Sequence, residues 1–270
     1  MQYPQEVLVI VVFIVFLAWD FFTGVNRRST RSAGEWLVDG LSTMQLPPIK
    51  AAVMALAFAL GAALLPAYHN SLQALPFWLG FLLVFLPDDL SHYWLHRLAH
   101  EHPWLWGFHR THHTPGVYQT SIAFRENWLW FWIMPGFWWM GLMVYLGLLE
   151  QVLLSTAIIG IHNVWLHTGS TADRRLYDHP FTRKLMHYLE HLINTPALHR
   201  AHHGLGGSAV PMGNYAQTLF IWDVLFGSAT FTQGALPEAY GTLNERSMKQ
   251  AWYYHLWWPL FKEKPVVGSD

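Results

Sequence analysis

The chain has 270 residues, of which 53% are hydrophobic and 12% charged, with a formal net charge of −1; soluble domains carry about 25% charged residues, so the deficit points to lipid. The Lys and Arg residues form no basic patch with interleaved aromatics, which argues against nucleic acid as a partner. The absence of cysteine excludes disulfides, thiolate-ligated haem, iron–sulfur clusters and Cys-type zinc sites, so any metal must rest on nitrogen and oxygen.

In chain order, residues 7–22 carry no charge before Asp20, and residues 51–67 and 72–86 carry none. With a rise of about 1.5 Å per residue and help from flanking residues, each run can cross a hydrocarbon core about 30 Å thick. The first run has neither a basic head nor a small-residue cleavage site, and reads as a retained anchor rather than a signal peptide. Residues 127–149, rich in Trp and interrupted by Pro135 and Gly136, form a fourth run, and 152–166 complete a hairpin with it. Arg27, Arg28, Arg31 and Lys50 lie between the first and second runs, whereas residues 1–6 and 66–76 contain no basic residue. The positive-inside tendency then puts the first loop in the cytoplasm and the N-terminus outside, as expected in a bacterial inner membrane.

No repeat or polar linker divides the chain, so a single domain over 1–270 is expected. Its parts are anchoring helices (1–87), first histidine boxes (88–126), a membrane hairpin (127–166), last histidine boxes (167–230) and a tail (231–270) in which 252–258 are interfacial and 262–270 disordered. The expected fold is an all-α polytopic membrane protein with four to five transmembrane helices and a cytoplasmic helical cap.

Fifteen of the 17 histidines fall between His92 and His203. The densest are His96 and His100, then His109, His112 and His113, then His199, His202 and His203. On a helix, residues three and four apart face one way, so each set presents its rings toward one side. Neutral imidazole suits zinc, copper, iron and nickel, whereas a core gains nothing from so many half-polar rings. One ion seldom needs eight nitrogens, and two ions with four or five imidazoles each fit the count better. His69, His102, His179 and His255 read as packing residues.

No Glu precedes a His by three positions, as the ferritin-like carboxylate proteins require, and His-Glu-x-x-His is absent. His187-Tyr188-Leu189-Glu190-His191 matches the inverted zinc-protease pattern but leaves the stronger boxes without a purpose. An all-imidazole metal pair in a membrane suits iron that activates dioxygen toward an unreactive lipid C–H bond. Zinc, which cannot change oxidation state, would instead make the chain a membrane hydrolase. A metal-transport or scaffold protein is a third reading, against which stands the scarcity of ionisable residues along any intramembrane path.

The stretch Asp89-x-x-x-Tyr93-Trp94-Leu95-His96-Arg97-x-x-His100-Glu101, followed by Leu105-Trp106-x-Phe108-His109-x-x-His112-His113, resembles the fatty acid hydroxylase/sterol desaturase superfamily of membrane di-iron enzymes. Asn194-Thr195-Pro196-x-x-His199-Arg200-x-His202-His203-Gly204, with Asn214-Tyr215 and Ile221-Trp222-Asp223-x-Leu225-Phe226-Gly227, is most similar to its alkylglycerol monooxygenase branch and bacterial relatives. The likeness covers roughly residues 85–230. It implies nine metal ligands: His96, His100, His109, His112, His113, His167 (from Trp165-Leu166-His167-Thr168), His199, His202 and His203. It also draws attention to Glu101, as an orienter of a ligand ring or a proton acceptor, and to Asn194, as an outer partner or the cap of the helix carrying the last box. Trp222 and Asp223 read as packing and anchoring groups. His92 is a candidate outer partner, and His162, His187 and His191 compete for any tenth ligand place.

The resemblance implies two iron ions, dioxygen as co-substrate and a lipid substrate drawn from the bilayer: an alkylglycerol ether, a sterol or hopanoid, a fatty acyl or an amino-acid lipid. Hydroxylation is expected, with desaturation sharing its first hydrogen abstraction. The chain has no Gly-rich dinucleotide loop and no haem-attachment motif, so electrons must come from a separate redox partner or a diffusible reductant. Trp and Phe side chains of 128–139 are expected along the route of the lipid tail.

Overall fold

Apolar helices dominate the computed structural model, which describes residues 4–25, 31–242 and 250–260. Arg27, Arg28 and the tail 262–270 lie outside the described residues. Helix α1 (Pro4–Phe22) contains the first apolar run. Helix α2 (Ala33–Leu64) starts well before the second run, because Ser32 and Glu35 form a reciprocal capping box: the Glu35 N–H donates to Ser32 Oγ (3.3 Å) and the Ser32 N–H to Glu35 Oε2 (2.9 Å).

Helix α3 (Phe77–Glu101) joins the third apolar run to the first histidine box without a break, although Pro87 lies inside it. Proline removes the N–H that would reach the Leu83 carbonyl. The indole of Trp139 donates to that carbonyl instead (3.1 Å), so the helix continues and carries His96 and His100 out of the apolar layer. Helix α4 (Pro103–His113) follows at once.

The fourth run is divided. Helix α5 (Trp128–Ile133) ends at Met134, and Pro135 opens α6 (Pro135–Tyr145) at the position where proline is favoured. A turn through Gly147, whose φ of +100° suits glycine, leads into α7 (Leu149–Leu166). Helix α6 packs on α2 and α3, and α7 on α1 and α3. At the α2–α6 crossing a Cβ on Gly141 would fall 2.4 Å from the Met54 carbonyl oxygen, so only glycine lets these backbones approach. Val84, Met140, Met143, Leu148 and Val152 form the core between them.

Among the described residues two helices, α2 and α7, are long and apolar enough to cross a membrane, and the apolar stretch Val7–Phe22 is shorter. Shorter helices follow: α8 (Arg175–Asp178), α9 (Pro180–Glu190), α10 (Pro196–His202), α11 (Ile221–Leu225) and α12 (Trp252–Trp257). The chain is mostly helical, as expected, with the addition of a small antiparallel ribbon, β1 (Gly204–Gly207) with β2 (Pro237–Tyr240), in which Gly204 faces Tyr240. A glycine-rich strand has no side-chain alternation by which to announce itself. Of the aromatic segment 252–258, Tyr254, His255 and Leu256 are buried, and α12 docks on α2 and α5.

Candidate metal centre

Four pieces of chain bring the histidines together. Helix α3 supplies His96 and His100, α4 supplies His109, His112 and His113, the end of α7 supplies His167, and α10 with its C-terminal cap supplies His199, His202 and His203. Thr195 caps α10, its hydroxyl accepting the Leu198 N–H, with Pro196 in the first helical position; the capping residue is thus Thr195 and not Asn194.

The nine imidazoles sort into two groups. His96, His100, His109, His113 and His202 form the first, and His112, His167, His199 and His203 the second; within each, one nitrogen per ring lies within 4.8 Å of all the others. Helix periodicity does the sorting: His109 and His113, four apart on α4, face the first group while His112 faces the second. The groups meet where the rings of His113 and His203 stack at 4.2 Å between centroids.

Backbone carbonyls fix the tautomers. His96 Nδ1–H donates to Tyr215 O (2.6 Å), His202 Nδ1–H to Gly213 O (2.8 Å), His112 Nδ1–H to Arg125 O (3.2 Å) and His167 Nδ1–H to Asn163 O (2.8 Å). A carbonyl only accepts, so the proton sits on Nδ1 and the Nε2 lone pair is left free. Yet Nε2 of His96 lies 3.0 Å from Nε2 of His202, and Nε2 of His112 lies 3.2 Å from Nε2 of His167. Two lone pairs cannot hydrogen-bond to each other, and a shared cation is what makes such contacts favourable. Nitrogens about 2.1 Å from one ion lie about 3.0 Å apart when their bonds are perpendicular. The donor set therefore fits a metal in each group.

Electrostatics agree. Burial, reinforced in most of these rings by neighbouring imidazoles, holds His109, His112, His113, His199, His202 and His203 well below the ordinary imidazole pKa, and burial lowers His167 to about 4. The rings are neutral at physiological pH, as metal ligands must be.

Buried carboxylates hold the loops that supply those carbonyls. Asp223 accepts the N–H groups of Tyr215 (2.9 Å) and Ala216 (2.7 Å), and Asp89 accepts those of Thr218 and Leu219 (both 3.0 Å) and the Trp222 indole N–H (2.9 Å). Trp222 and Asp223 are anchoring groups, as expected. Arg125 ties the loop after α4 to α2 by donating to Asp39 (2.6 Å) and to the Thr111 carbonyl (2.9 Å).

Glu126 is the functional candidate that sequence reasoning missed. Its Oε1 lies 3.4 Å from His109 Nδ1 and 3.6 Å from His112 Nδ1, one ring from each group, and burial raises its pKa well above the usual carboxylate range. The only signal was a polar triplet, Arg125-Glu126-Asn127, between apolar runs. Glu101 lies outside both groups, paired with Arg97 at 2.8 Å on a half-exposed surface. Asn194 lies outside them too: its side-chain amide N–H donates to Ala216 O (2.5 Å), and its backbone carbonyl accepts from His162 Nε2 (3.1 Å).

His92 packs edge-on to His96 and Trp130, and His191 stacks on Phe231 with His187 tilted against the same ring. The inverted-protease triplet does not assemble: Glu190 accepts from Tyr177 OH and Thr195 Oγ1, while His191 Nδ1–H donates to the His187 carbonyl. His69 packs on Phe58 and Tyr145, and His179 caps α9. An apolar groove of about 430 Å³ runs along α3, lined by Pro87, Leu90, Trp94, Leu95, Leu98 and Pro135 among others. Of the aromatic stretch expected along the lipid route only Pro135 lines it; Trp130 is buried against His109.

The fatty acid hydroxylase family model matches residues 81–228, the stretch that carries both histidine groups, and the chain belongs to the fatty acid hydroxylase family. It is similar to the alkylglycerol monooxygenase of Danio rerio (30% identical over 214 residues, 73% of this chain and 41% of that one) and of Homo sapiens (33% over 149 residues, 53% and 29%). It is also similar to the ornithine lipid hydroxylase OlsE of Rhizobium tropici (29% over 154 residues, 50% and 37%). The chain spans less than half the length of these relatives. No solved structure matches it.

Proposed function

We propose that the chain is a membrane-bound lipid hydroxylase in which the two histidine groups hold two iron ions. The observation that carries this reading is the convergence of nine neutral imidazoles on two centres, with lone pairs in contact in both groups. His96, His100, His109, His113 and His202 hold one ion, and His112, His167, His199 and His203 the other. Iron bound there supplies activation of dioxygen for insertion of one oxygen atom into a C–H bond, with electrons delivered by a separate redox protein or a diffusible reductant. The chain's own residues hold the rings in one tautomer, exclude water by burial and, through Glu126, set one carboxyl group beside a ring of each group. Glu101 and Asn194 act as positioning residues: Glu101 through Arg97, which also donates to the Phe226 carbonyl, and Asn194 through the loop that carries Ala216.

In this reading the chain is one domain with four to five crossings: α1, α2, the apolar first half of α3, α7 and, as a broken fifth, α5 together with α6. The remainder forms a helical cap on the cytoplasmic side, with the N-terminus outside. The exposed apolar side chains of α1, α2 and α3, such as Ile14, Phe58 and Trp78, support a lipid-facing surface. The apolar groove on α3 suits a long alkyl or acyl chain, in keeping with the lipids named for the relatives.

The test is metal analysis of the full chain purified in detergent, with lipid products followed by mass spectrometry. Two irons per chain and an oxygen-dependent gain of one oxygen atom are expected. A loss of two hydrogens would make the enzyme a desaturase, and zinc alone with turnover unaffected by oxygen would overturn the reading in favour of a hydrolase.

A further inference from the structure

Helix α9 has three faces where an ordinary surface helix has two. With 3.6 residues per turn, Phe181, Leu185 and Tyr188 fall within a sector of about 60°. Leu192 extends the same row in the following turn. These four are 72%, 57%, 60% and 55% exposed. A second face is turned inward through Met186, which packs with Tyr177 and Ala197, and through buried Glu190. The third carries Lys184, with Arg174 and Arg175 exposed just upstream; from 172 to 192 the only exposed acidic side chain is Asp178.

Three large apolar side chains exposed along one helical row, with exposed cations on the same helix and just upstream of it, have the chemistry to meet an anionic lipid surface. The location agrees. The chain leaving α9 is tied to α7 where the Asn194 carbonyl accepts from His162, one turn from the end of a helix apolar enough to cross the membrane. We infer that α9 lies in the membrane interface, with Phe181, Leu185, Tyr188 and Leu192 in the acyl boundary and Arg174, Arg175 and Lys184 on anionic headgroups. The inference rests on α7 being a membrane crossing and is independent of the metal centre. Docked in this way, the segment between His167 and His199 fixes the height of α10, and so of three histidines, above the bilayer.

The absence of cysteine makes the experiment direct. Leu185→Cys, Tyr188→Cys and, as the contrast, Arg183→Cys in the full chain are spin-labelled and reconstituted in nanodiscs of phosphatidylcholine with or without phosphatidylglycerol. Collision with oxygen and with a water-soluble nickel chelate reports depth. Labels at 185 and 188 are expected to be shielded from nickel and open to oxygen, most strongly with phosphatidylglycerol, and the label at 183 the reverse. Adding Arg175→Gln and Lys184→Gln is expected to weaken docking about fivefold per cation removed, seen as rising nickel access in the anionic discs.

Equal nickel access at 183, 185 and 188 in both lipid compositions would overturn the proposal. So would shielding that follows protein concentration instead of lipid charge, since that marks a face for a second copy or a redox protein. An unchanged elution profile and thermal unfolding curve, measured on the same samples, confirm that each variant is folded. A folded chain without iron or activity would leave the depth profile intact, so failure of the hydroxylase reading and failure of this one are distinguishable.

Discussion

His109 and Glu126 face each other across 3.4 Å, His109 Nδ1 to Glu126 Oε1, in a site where both are buried. His109 Nδ1 has no hydrogen-bond partner in the usual range, and neither has the second oxygen of Glu126. A ring that donates its outer N–H to a carboxylate becomes a stronger and better-oriented ligand, and such partners are commonly worth about 10–100-fold in metal affinity. Glu126→Gln keeps the shape but puts an amide where one acceptor oxygen stood, and is expected to weaken metal retention by about that factor. The measurement is metal per chain during titration with a chelator, and a curve identical to the parent's would remove Glu126 from the centre.

The sorting of rings into two groups makes a sharper expectation. His202→Ala takes one of five rings from the first group, and His167→Ala one of four from the second. Each should lower metal content from two ions per chain toward one, with His167→Ala the more severe because its group has fewer rings to spare. Atomic absorption checks the stoichiometry. If either change emptied both groups at once, the centre would be a single coupled cluster and the sorting would have no functional meaning.

His255 lets acid sensitivity be assigned to one residue outside the metal groups. Burial, together with the nearby Arg125 and Arg110 cations, lowers its pKa from the ordinary 6.5 to about 3. Between those values the unfolded chain binds a proton that the folded chain refuses, so this contribution is complete above pH 6.5 and is lost as pH falls toward 3. Replacing the ring with His255→Phe should therefore flatten the fall of stability with acid by about 1.4 kcal/mol per pH unit. Thermal unfolding from pH 7.5 downward tests it, and parallel curves for parent and variant would show that His255 does not titrate this way.

Eight of the nine rings were legible from spacing, because ligands three and four apart on a helix must share a face; His167, alone at the end of α7, was marked only by family resemblance. The apolar helices were legible for a similar reason: a run without charge constrains its solvent. Glu126 was hidden because a loop has no periodicity and one carboxylate has no pattern. The continuity of α3 was hidden because the group that compensates Pro87 is Trp139, far along the chain. The division at Pro135 was readable as an interruption, but not as a boundary between two packed helices. Gly204, by contrast, is recognisable as a strand residue only once Pro237 is seen where its Cβ would be.

Asp20 joins the first helix to the His167 loop of the second group, and its loss should be felt there first. Its Oδ2 accepts the Thr120 N–H and hydroxyl (both 2.7 Å) and the Gly169 N–H (3.1 Å), while Oδ1 accepts the Thr168 hydroxyl (3.3 Å), next to His167. Asp20→Ala leaves buried backbone donors without acceptors, at about 1–3 kcal/mol each. With about 2–4 °C lost per kcal/mol in a chain of this size, a fall in Tm of about 10 °C follows. Asp20→Asn keeps the oxygen that accepts from Thr120 and Gly169 but puts an amide N–H where Oδ1 also accepts the Gly169 N–H (3.1 Å) and the Thr168 hydroxyl, and should cost less. Because the freed loop carries His167, both variants should release the ion of the second group to a chelator before that of the first. Equal release from both groups, or an unchanged melting temperature, would mean that α1 anchors the chain without steadying the centre.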